Sequence, residues 1–444
     1  MASTIVATLM AQATGDGSNS SATSTSYDGP NVMGRGPLRI GLFGAESTPI
    51  RFSFNVGATY DTLLGAFRTD ANGNLAPGAG SYGVEGGFSV SGQKRYRRAV
   101  LGVSYSGSYN YIANIQGFSG ANQALNLGYS RRLTRRLEMS WTTTGSITNR
   151  LLGNPLNQQS VGADLVAAPV NELFDNRLYF LQSQMLYSFR LNSRWHVQGG
   201  GSGGTVRRQA ASLADVNIYG GNAALMYRWN RNTTIGFGYN FSHFNFGRFF
   251  GESNLHGVTV DFGRKIGRDW QLTVSATGQT IRTIGVRRVA LDPVIAALLG
   301  TSSGVEAFDS SRRIAGYGIG VERRYRRSLF SVRADRSVVP GNGLMLTSVI
   351  NMQSVAFSTS ASRNWSINAG ASRSSMGEVA GSTLGAFDVW QIQTSVNRKF
   401  TTELGMMASV EYRSFKLGNS TLDRRGTRFM IGLTYSPTSL PFGR

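Results

Sequence analysis

The feature that most constrains the fold of this chain is an alternation of apolar and polar side chains with a period of two residues. From Ile50 to Asp61 every second residue is apolar or aromatic, and the residues between them are polar or glycine. A period of two predicts a β-strand with one apolar face and one polar face. The pattern recurs in later stretches, which include 101–111, 137–147, 270–277, 390–397 and 429–435.

The alternating runs are long enough to cross a lipid bilayer. Several are roughly twice as long as the 5 to 6 residues that are usual for strands of soluble proteins, and a transmembrane strand needs about 9 to 11 residues. The mean hydropathy of -0.16 is near neutral, as expected when only one face of each strand is apolar. The runs therefore favour membrane strands over a soluble sandwich.

Composition agrees with one large sheet. The 444 residues include 56 Gly, 24 Phe and 17 Tyr but only 10 Pro, and no change in composition divides them into smaller domains. No stretch approaches the roughly 18 apolar residues of a membrane helix. The absence of cysteine excludes disulfides, thiol nucleophiles and cysteine-ligated metals, and it suits an oxidising periplasm.

The connections between the runs alternate between short and long. Eight short turns, mostly rich in arginine, are predicted at 94–98, 131–136, 191–194, 230–232, 266–269, 324–327, 363–364 and 398–401. The connections between them include long stretches at 65–81, 151–176, 287–310 and 375–386. Counting through both sets predicts about 18 strands, with both termini on the side of the short turns.

This arrangement resembles the porin-like class of bacterial outer-membrane β-barrel proteins over residues 50–437. The resemblance implies an all-β fold, a single transmembrane antiparallel up-and-down barrel with periplasmic short turns and longer extracellular loops. It also implies a location in the outer membrane of a Gram-negative bacterium and assembly by the outer-membrane assembly machinery. That class ends on an aromatic residue, whereas here the last strand carries Phe429 and Tyr435 and the chain continues to Arg444.

Three segments are predicted along the chain. Residues 1–13 are interpreted as the remnant of an export signal, because the apolar stretch Ile5–Met10 precedes Ala11, Gln12 and Ala13; a disordered tail is the alternative. Residues 14–49 are predicted to form a flexible N-terminal segment, since they are rich in Gly, Ser, Thr and Asn. Residues 50–444 are predicted to form the barrel.

The formal charge of +21 is concentrated at one rim, because about half of the 45 Lys and Arg residues lie in or beside the short turns. Tryptophans 195, 229, 270 and 365 lie beside the same turns, which predicts an interfacial aromatic belt. The lipid bilayer is therefore the expected partner, through phospholipid phosphates. Solvated turns are the alternative. Nucleic acid fits less well, because the aromatic residues mostly occupy the apolar register.

No constellation of residues predicts catalysis or a bound cofactor. His196, His243 and His256 lack the paired spacing of a metal site. The two Gly-x-Ser-x-Gly matches at 200–204 and 300–304 do not lie between a strand and a helix, as a nucleophile elbow requires. The glycine run 199–204 instead indicates a strand bend or a close packing contact. We therefore expect no enzyme activity, no metal and no cofactor.

The polar register predicts ten charged residues that line a pore. They are Arg51, Asp61, Glu85, Glu138, Asp261, Glu322, Arg333, Asp335, Glu411 and Arg413. Three are basic and seven are acidic, which disfavours an exporter of acidic polysaccharide with a basic track through its lumen.

The leading functional hypothesis is a porin that forms a water-filled passage for small solutes. An exopolysaccharide export barrel and a plugged structural or adhesin barrel are the alternatives, and homo-oligomerisation is left open. Two loops are candidates for narrowing the pore. They are 151–176, which is the third loop on the long side, and 287–310, where Asp292–Gly300 predicts about two turns of helix.

Overall fold

The structure is a computed structural model, and it describes residues 48–62, 68–69, 75–76, 80–113, 119–149, 177–209, 213–248, 250–290, 303–341, 346–379, 387–418 and 423–437. These residues form strands and turns and contain no helix. None of them forms a helix long and apolar enough to cross a membrane. The predictions for residues 1–47 and 151–176 fall outside the described residues.

Eighteen long strands make up the fold. They are β1 (Thr48–Asp61), β2 (Ser81–Arg95), β3 (Ala99–Ile112), β4 (Gly120–Arg132), β5 (Leu137–Asn149), β6 (Arg177–Arg190), β7 (Trp195–Arg208), β8 (Asp215–Arg228), β9 (Thr233–Gly247), β10 (Gly251–Ile266), β11 (Trp270–Ala290), β12 (Ser303–Tyr325), β13 (Ser328–Pro340), β14 (Thr347–Thr359), β15 (Trp365–Glu378), β16 (Phe387–Lys399), β17 (Leu404–Leu417) and β18 (Asp423–Tyr435). A two-residue ladder, Arg68–Thr69 with Leu75–Ala76, lies between β1 and β2.

The strands close into one barrel. Each pairs antiparallel with the next along the chain, and β1 pairs with both β2 and β18. In the closing pair Ala58 stands opposite Ile431. Closure gives each of the eighteen strands a hydrogen-bonded neighbour on both sides, so the barrel has no edge strand. The predicted all-β, antiparallel up-and-down barrel of 18 strands is confirmed, with β1 beginning and β18 ending on the side of the short turns.

The short turns form because small polar side chains satisfy their backbone amides. In the turn between β6 and β7, Asn192 Oδ1 accepts hydrogen bonds from the amides of Arg194 and Trp195 at 2.8 and 2.9 Å. Thr134 and Thr401 play the equivalent part in two other turns. Such local bonds from Asn, Ser and Thr stabilise turns, which explains why so few residues suffice to reverse the chain.

Every second residue of each strand faces outward, and most of these outward side chains are apolar, as the alternation predicts. Val56, Tyr82 and Val258 are each more than 60% exposed on this surface. Soluble proteins rarely expose contiguous apolar patches larger than a few hundred Å². A largely apolar outer surface therefore fits contact with lipid hydrocarbon.

Strands β11 and β12 extend beyond their neighbours on the long-loop side. They pair with each other from Trp270 to Ala290, whereas β12 pairs with β13 only between Tyr317 and Tyr325. We call the part of β11 and β12 on the long-loop side of Tyr317 the arm; β10 still flanks β11 as far as Gly285. On the outer face of the arm Arg282 donates hydrogen bonds to Asp309, one of them at 2.6 Å, and this contact lowers the pKa of Asp309.

Candidate functional site

The candidate site is the inner surface of the barrel. All ten charged residues predicted to line a pore stand on the inward register, opposite the exposed apolar side chains. The structure brings four of them together, namely Asp61, Glu85, Glu411 and Arg413. The other six lie elsewhere on the inner wall.

The four residues meet where the last strands close against the first. With Gln391 and Arg428 they form what we call the seam cluster. Arg413 Nη2 lies 2.9 Å from Asp61 Oδ2, and Arg413 Nε lies 3.4 Å from Glu411 Oε1. Gln391 Nε2 donates a hydrogen bond of 2.6 Å to the same Glu411 oxygen. The cluster therefore links strands β16, β17 and β1 through side chains.

Arg428 adds the second positive charge to the seam cluster. It stands directly between Glu411 on β17 and Asp61 on β1 in the strand register, and its Nη2 lies 3.6 Å from Glu85 Oε2. The sequence prediction missed Arg428, although extending the alternation two residues back from Met430 places it on the inward face.

The charged side chains of the seam cluster are buried. Glu85 is fully buried, and Asp61, Glu411, Arg413 and Arg428 are each 3 to 4% exposed. Three carboxylates face two guanidinium groups, so most of the charge is neutralised within the wall. Breaking such a buried network strands the remaining charges without a partner. The geometry is thus suited to holding the barrel closed rather than to presenting charges to a solute.

A glycine lets the seam cluster form across an intervening strand. Arg413 reaches Asp61 although β18 lies between their strands. The residue of β18 that stands opposite Arg413 is Gly426, and it is buried. Because glycine has no side chain, the guanidinium group can lie over this position.

The remaining predicted pore residues do not join the cluster. Arg333 and Asp335 pair with each other on β13, with Nε and Oδ2 3.5 Å apart. Asp261 is buried on β10. Three others, Arg51, Glu138 and Glu322, lie near the short-turn ends of their strands.

The inner wall is apolar at the long-loop end, where the sequence predicted a polar lining. We call the buried group on β6 to β9 the mouth cluster; it consists of Leu178, Phe180, Val206, Ala214, Val216, Ile218, Phe244 and Phe246. A second apolar group, which includes Leu255 and Ile281, continues it along β10 and β11. Met376 and Phe387 form a third group on β15 and β16.

The long-loop end of the β13–β14 hairpin folds inward over this apolar surface. We call it the tip, and its described residues are 338–341 and 346–347. Leu346 packs against the mouth cluster, and Val338 packs against Leu255 and Ile281. Polar contacts anchor the tip, since Arg208 Nη2 lies 3.4 Å from the carbonyl oxygen of Gly341 and the hydroxyls of Ser253 and Thr347 are 2.6 Å apart. The tip therefore narrows the opening of the barrel on the long-loop side.

Neither predicted constriction loop accounts for this narrowing among the described residues. The loop placed at 287–310 is shorter than predicted, because β11 runs to Ala290 and β12 begins at Ser303. That boundary was wrong, and the helix predicted over Asp292–Gly300 lies outside the described residues, as does the 151–176 loop. The sequence signal for the tip is the apolar trio Leu344, Met345 and Leu346, which follows Gly341, Asn342 and Gly343 in the sequence.

The three histidines do not come together. His196 is buried on the inner wall of β7. His243 and His256 stand on the outer face, where their Nδ1 atoms lie 2.8 Å from Asn254 Oδ1 and 2.7 Å from the Tyr239 hydroxyl. Within the described part of the chain, no three His, Asp or Glu side chains are arranged to hold a metal ion.

The glycine run at 199–204 lies within strand β7 and marks a close approach. A Cβ at Gly200 would collide with the backbone carbonyl of Met185 on β6. At Gly201 the nearest atom to such a Cβ would be 3.6 Å away. The predicted close packing is therefore confirmed at Gly200.

Aromatic and basic side chains pair on the outer surface beside the short turns. The guanidinium of Arg323 lies 5.0 Å from the ring centre of Trp270, and that of Arg398 lies 5.1 Å from the ring centre of Trp365. Trp195 packs on Tyr227 with ring centres 4.6 Å apart. The tryptophans thus stand at one level around the barrel, as predicted.

The closed sheet, the apolar outer surface and the short-turn belt decide the fold class. The chain folds as a closed 18-strand antiparallel up-and-down β-barrel. No protein-family model matches this chain, and no curated protein matches it.

Solved structures similar to this barrel include three bacterial proteins. OpdQ of Pseudomonas aeruginosa has a TM-score of 0.40 at 9% identity, over 88% of this chain and 99% of that chain. OccK2 (OpdF) of the same species, in complex with glucuronate, has a TM-score of 0.39 at 10% identity, over 87% and 97%. The FrpB iron transporter of Neisseria meningitidis has a TM-score of 0.41 at 9% identity, over 88% and 82%. At these identities the likeness concerns the fold alone.

Proposed function

We propose that this chain is an outer-membrane porin that forms a water-filled passage for small solutes and catalyses no reaction. The observation that carries the proposal is a closed 18-strand wall whose outer face is apolar and whose inner face is largely polar. An antiparallel barrel of this size is wide enough to hold an aqueous channel. The bilayer, the outer-membrane assembly machinery and small solutes are the partners that this function requires.

The test is single-channel conductance of the purified chain in a planar bilayer. Discrete open steps that scale with salt concentration are expected. A barrel that inserts, shown by its heat-dependent mobility on a gel, but never conducts would contradict the proposal.

A closed barrel is the second candidate, and the mouth cluster with the inward β13–β14 tip favours it. Apolar constrictions can stop ion flow by dewetting. If the closed barrel is a gated porin, a variant with a loosened tip should conduct. If it is a plugged structural barrel, the same variant should not conduct. Measuring the intact chain and the tip variant side by side therefore separates an open porin, a gated porin and a plugged barrel.

A further inference from the structure

The strands that enter the short turns share a feature that the alternation alone did not reveal. Seven of these eight strands carry an inward-facing Lys or Arg within their last two residues. With Arg51 near the start of β1, these residues form what we call the basic collar; its members are Arg51, Arg95, Arg132, Arg190, Arg228, Lys265, Arg324 and Lys399.

The inward register of each collar residue follows from its cross-strand partner. Arg132 stands opposite Glu138, which lies on the inner face of β5. Arg190 stands opposite the buried His196. Lys265 stands opposite Gln271, four residues before the inward-facing Ser275. The other members follow the same two-residue alternation, so all eight line one end of the lumen.

Few acidic groups oppose the collar. Taking the four residues of each described strand nearest the short turns, the only inward-facing carboxylates are Glu138 and Glu322. Glu322 lies 3.4 Å from Arg324. Eight basic groups against two acidic groups leave an excess of six positive charges. The sequence-based list of three basic and seven acidic lumen residues included Arg51 but not the other seven collar residues, because it assigned the basic residues near the turns to the rim.

Five of the eight collar residues are exposed, unlike the buried seam cluster. They are Arg51, Arg95, Lys265, Arg324 and Lys399. The outward-facing arginines at the same level, such as Arg323 and Arg398, lie on aromatic rings instead. The register thus separates basic groups that face the lumen from those that face the membrane interface.

We propose that the basic collar makes the passage selective for small anions. This inference rests on the proposed porin function. A ring of like charges at the mouth of a low-dielectric channel raises the local concentration of counter-ions and repels co-ions. Because exposed charges are screened by salt, the preference grows as ionic strength falls.

The test is the reversal potential of the channel in a KCl gradient, measured on the full chain and on two triple variants. In the first variant Arg95, Arg190 and Lys399 of the collar are changed to Gln. In the matched control the outward-facing Arg131, Arg264 and Arg398 are changed to Gln, which removes the same charge at the same level. The collar variant should lower the chloride-to-potassium permeability ratio at least about threefold, and the control should leave it unchanged.

A charge-conserving variant, Arg95→Lys with Arg190→Lys and Lys399→Arg, should keep the anion preference, which separates charge from packing. Cation preference of the intact channel, or an equal change in the outward control, would overturn the collar proposal and leave the porin function standing. Silence of every correctly inserted variant would overturn both. A steeper preference at low salt is the second readout and should vanish in the collar variant.

Discussion

Leu272 and Ile392 face outward on β11 and β16, whereas their chain neighbours Thr273 and Gln393 face inward. These two pairs give matched sites for the same substitution on opposite faces. Arginine at Leu272 or Ile392 should destabilise the folded barrel by about 2 to 4 kcal/mol when the site lies near the bilayer midplane, because the charge enters hydrocarbon. Arginine at Thr273 or Gln393 should be tolerated. Urea titration of the barrel folded in lipid vesicles measures both, and equal losses on the two faces would contradict the face assignment.

The residues that the sequence predicted well are those whose environment is local. The faces of β1 and β18 follow from alternation, and the turn residues Asn192 and Thr134 follow from their own hydrogen bonds. The sequence predicted the inward register of Asp61 and Arg413 in the same way. It did not predict their contact, because they are separated by 352 positions and meet only through closure.

Among the elements, the seam of β17, β18 and β1 should be the most sensitive to loss of one charge. Asp61→Asn removes the carboxylate that Arg413 contacts at 2.9 Å and breaks the buried ion pair that joins β17 to β1. Breaking a buried ion pair costs about 3 to 5 kcal/mol, so the midpoint of the heat-dependent gel shift should fall.

The control for the seam is Asp309→Asn on the arm. It removes an equally direct pair with Arg282 in which both side chains are about half exposed or more. Because exposed pairs contribute little, the midpoint should stay where it is in the unaltered barrel. If both variants behave alike, burial of the seam cluster is not what stabilises closure.

The β13–β14 tip is the second sensitive element. Leu346→Ser removes apolar contacts with the mouth cluster and should weaken the inward packing of the tip. We expect a larger single-channel conductance or longer open times in planar bilayers. Leu191→Ser, on an exposed short turn, should change neither. A conductance that is the same in all three proteins would place the narrowest point elsewhere.

Two elements differ from the sequence prediction for a physical reason. The arm of β11 and β12 lacks the apolar and polar alternation of the other strands, because Ser310, Ser311, Arg312 and Arg313 are all polar. The sequence of this part of the arm therefore predicts a loop rather than a strand. The β13–β14 tip is held by contacts with β7 and β10. Such contacts across the barrel produce no periodic pattern in the sequence, so the alternation could not predict them.

For the whole molecule, the orientation in the membrane can be tested with single cysteines in a chain that has none. Phe250 lies in the connection between β9 and β10 on the long-loop side and is 67% exposed. Asn192 lies in a short turn on the opposite side. If the long side is extracellular, Phe250→Cys should react with an impermeant thiol reagent in intact cells and Asn192→Cys only after lysis. The opposite result would invert the topology.

The seam cluster also bears on how the barrel is made. Asp61 and Glu85 belong to the first strands, and their basic partners Arg413 and Arg428 belong to the last two. Until synthesis and pairing reach β18, those carboxylates have no arginine to meet, and contacts of such high sequence separation form slowly. An unfinished barrel therefore cannot bury the charged side chains of its first strands as ion pairs in the barrel wall. Barrel closure is therefore sensitive to strand register, because only a chain with all 18 strands in register can bury the seam cluster.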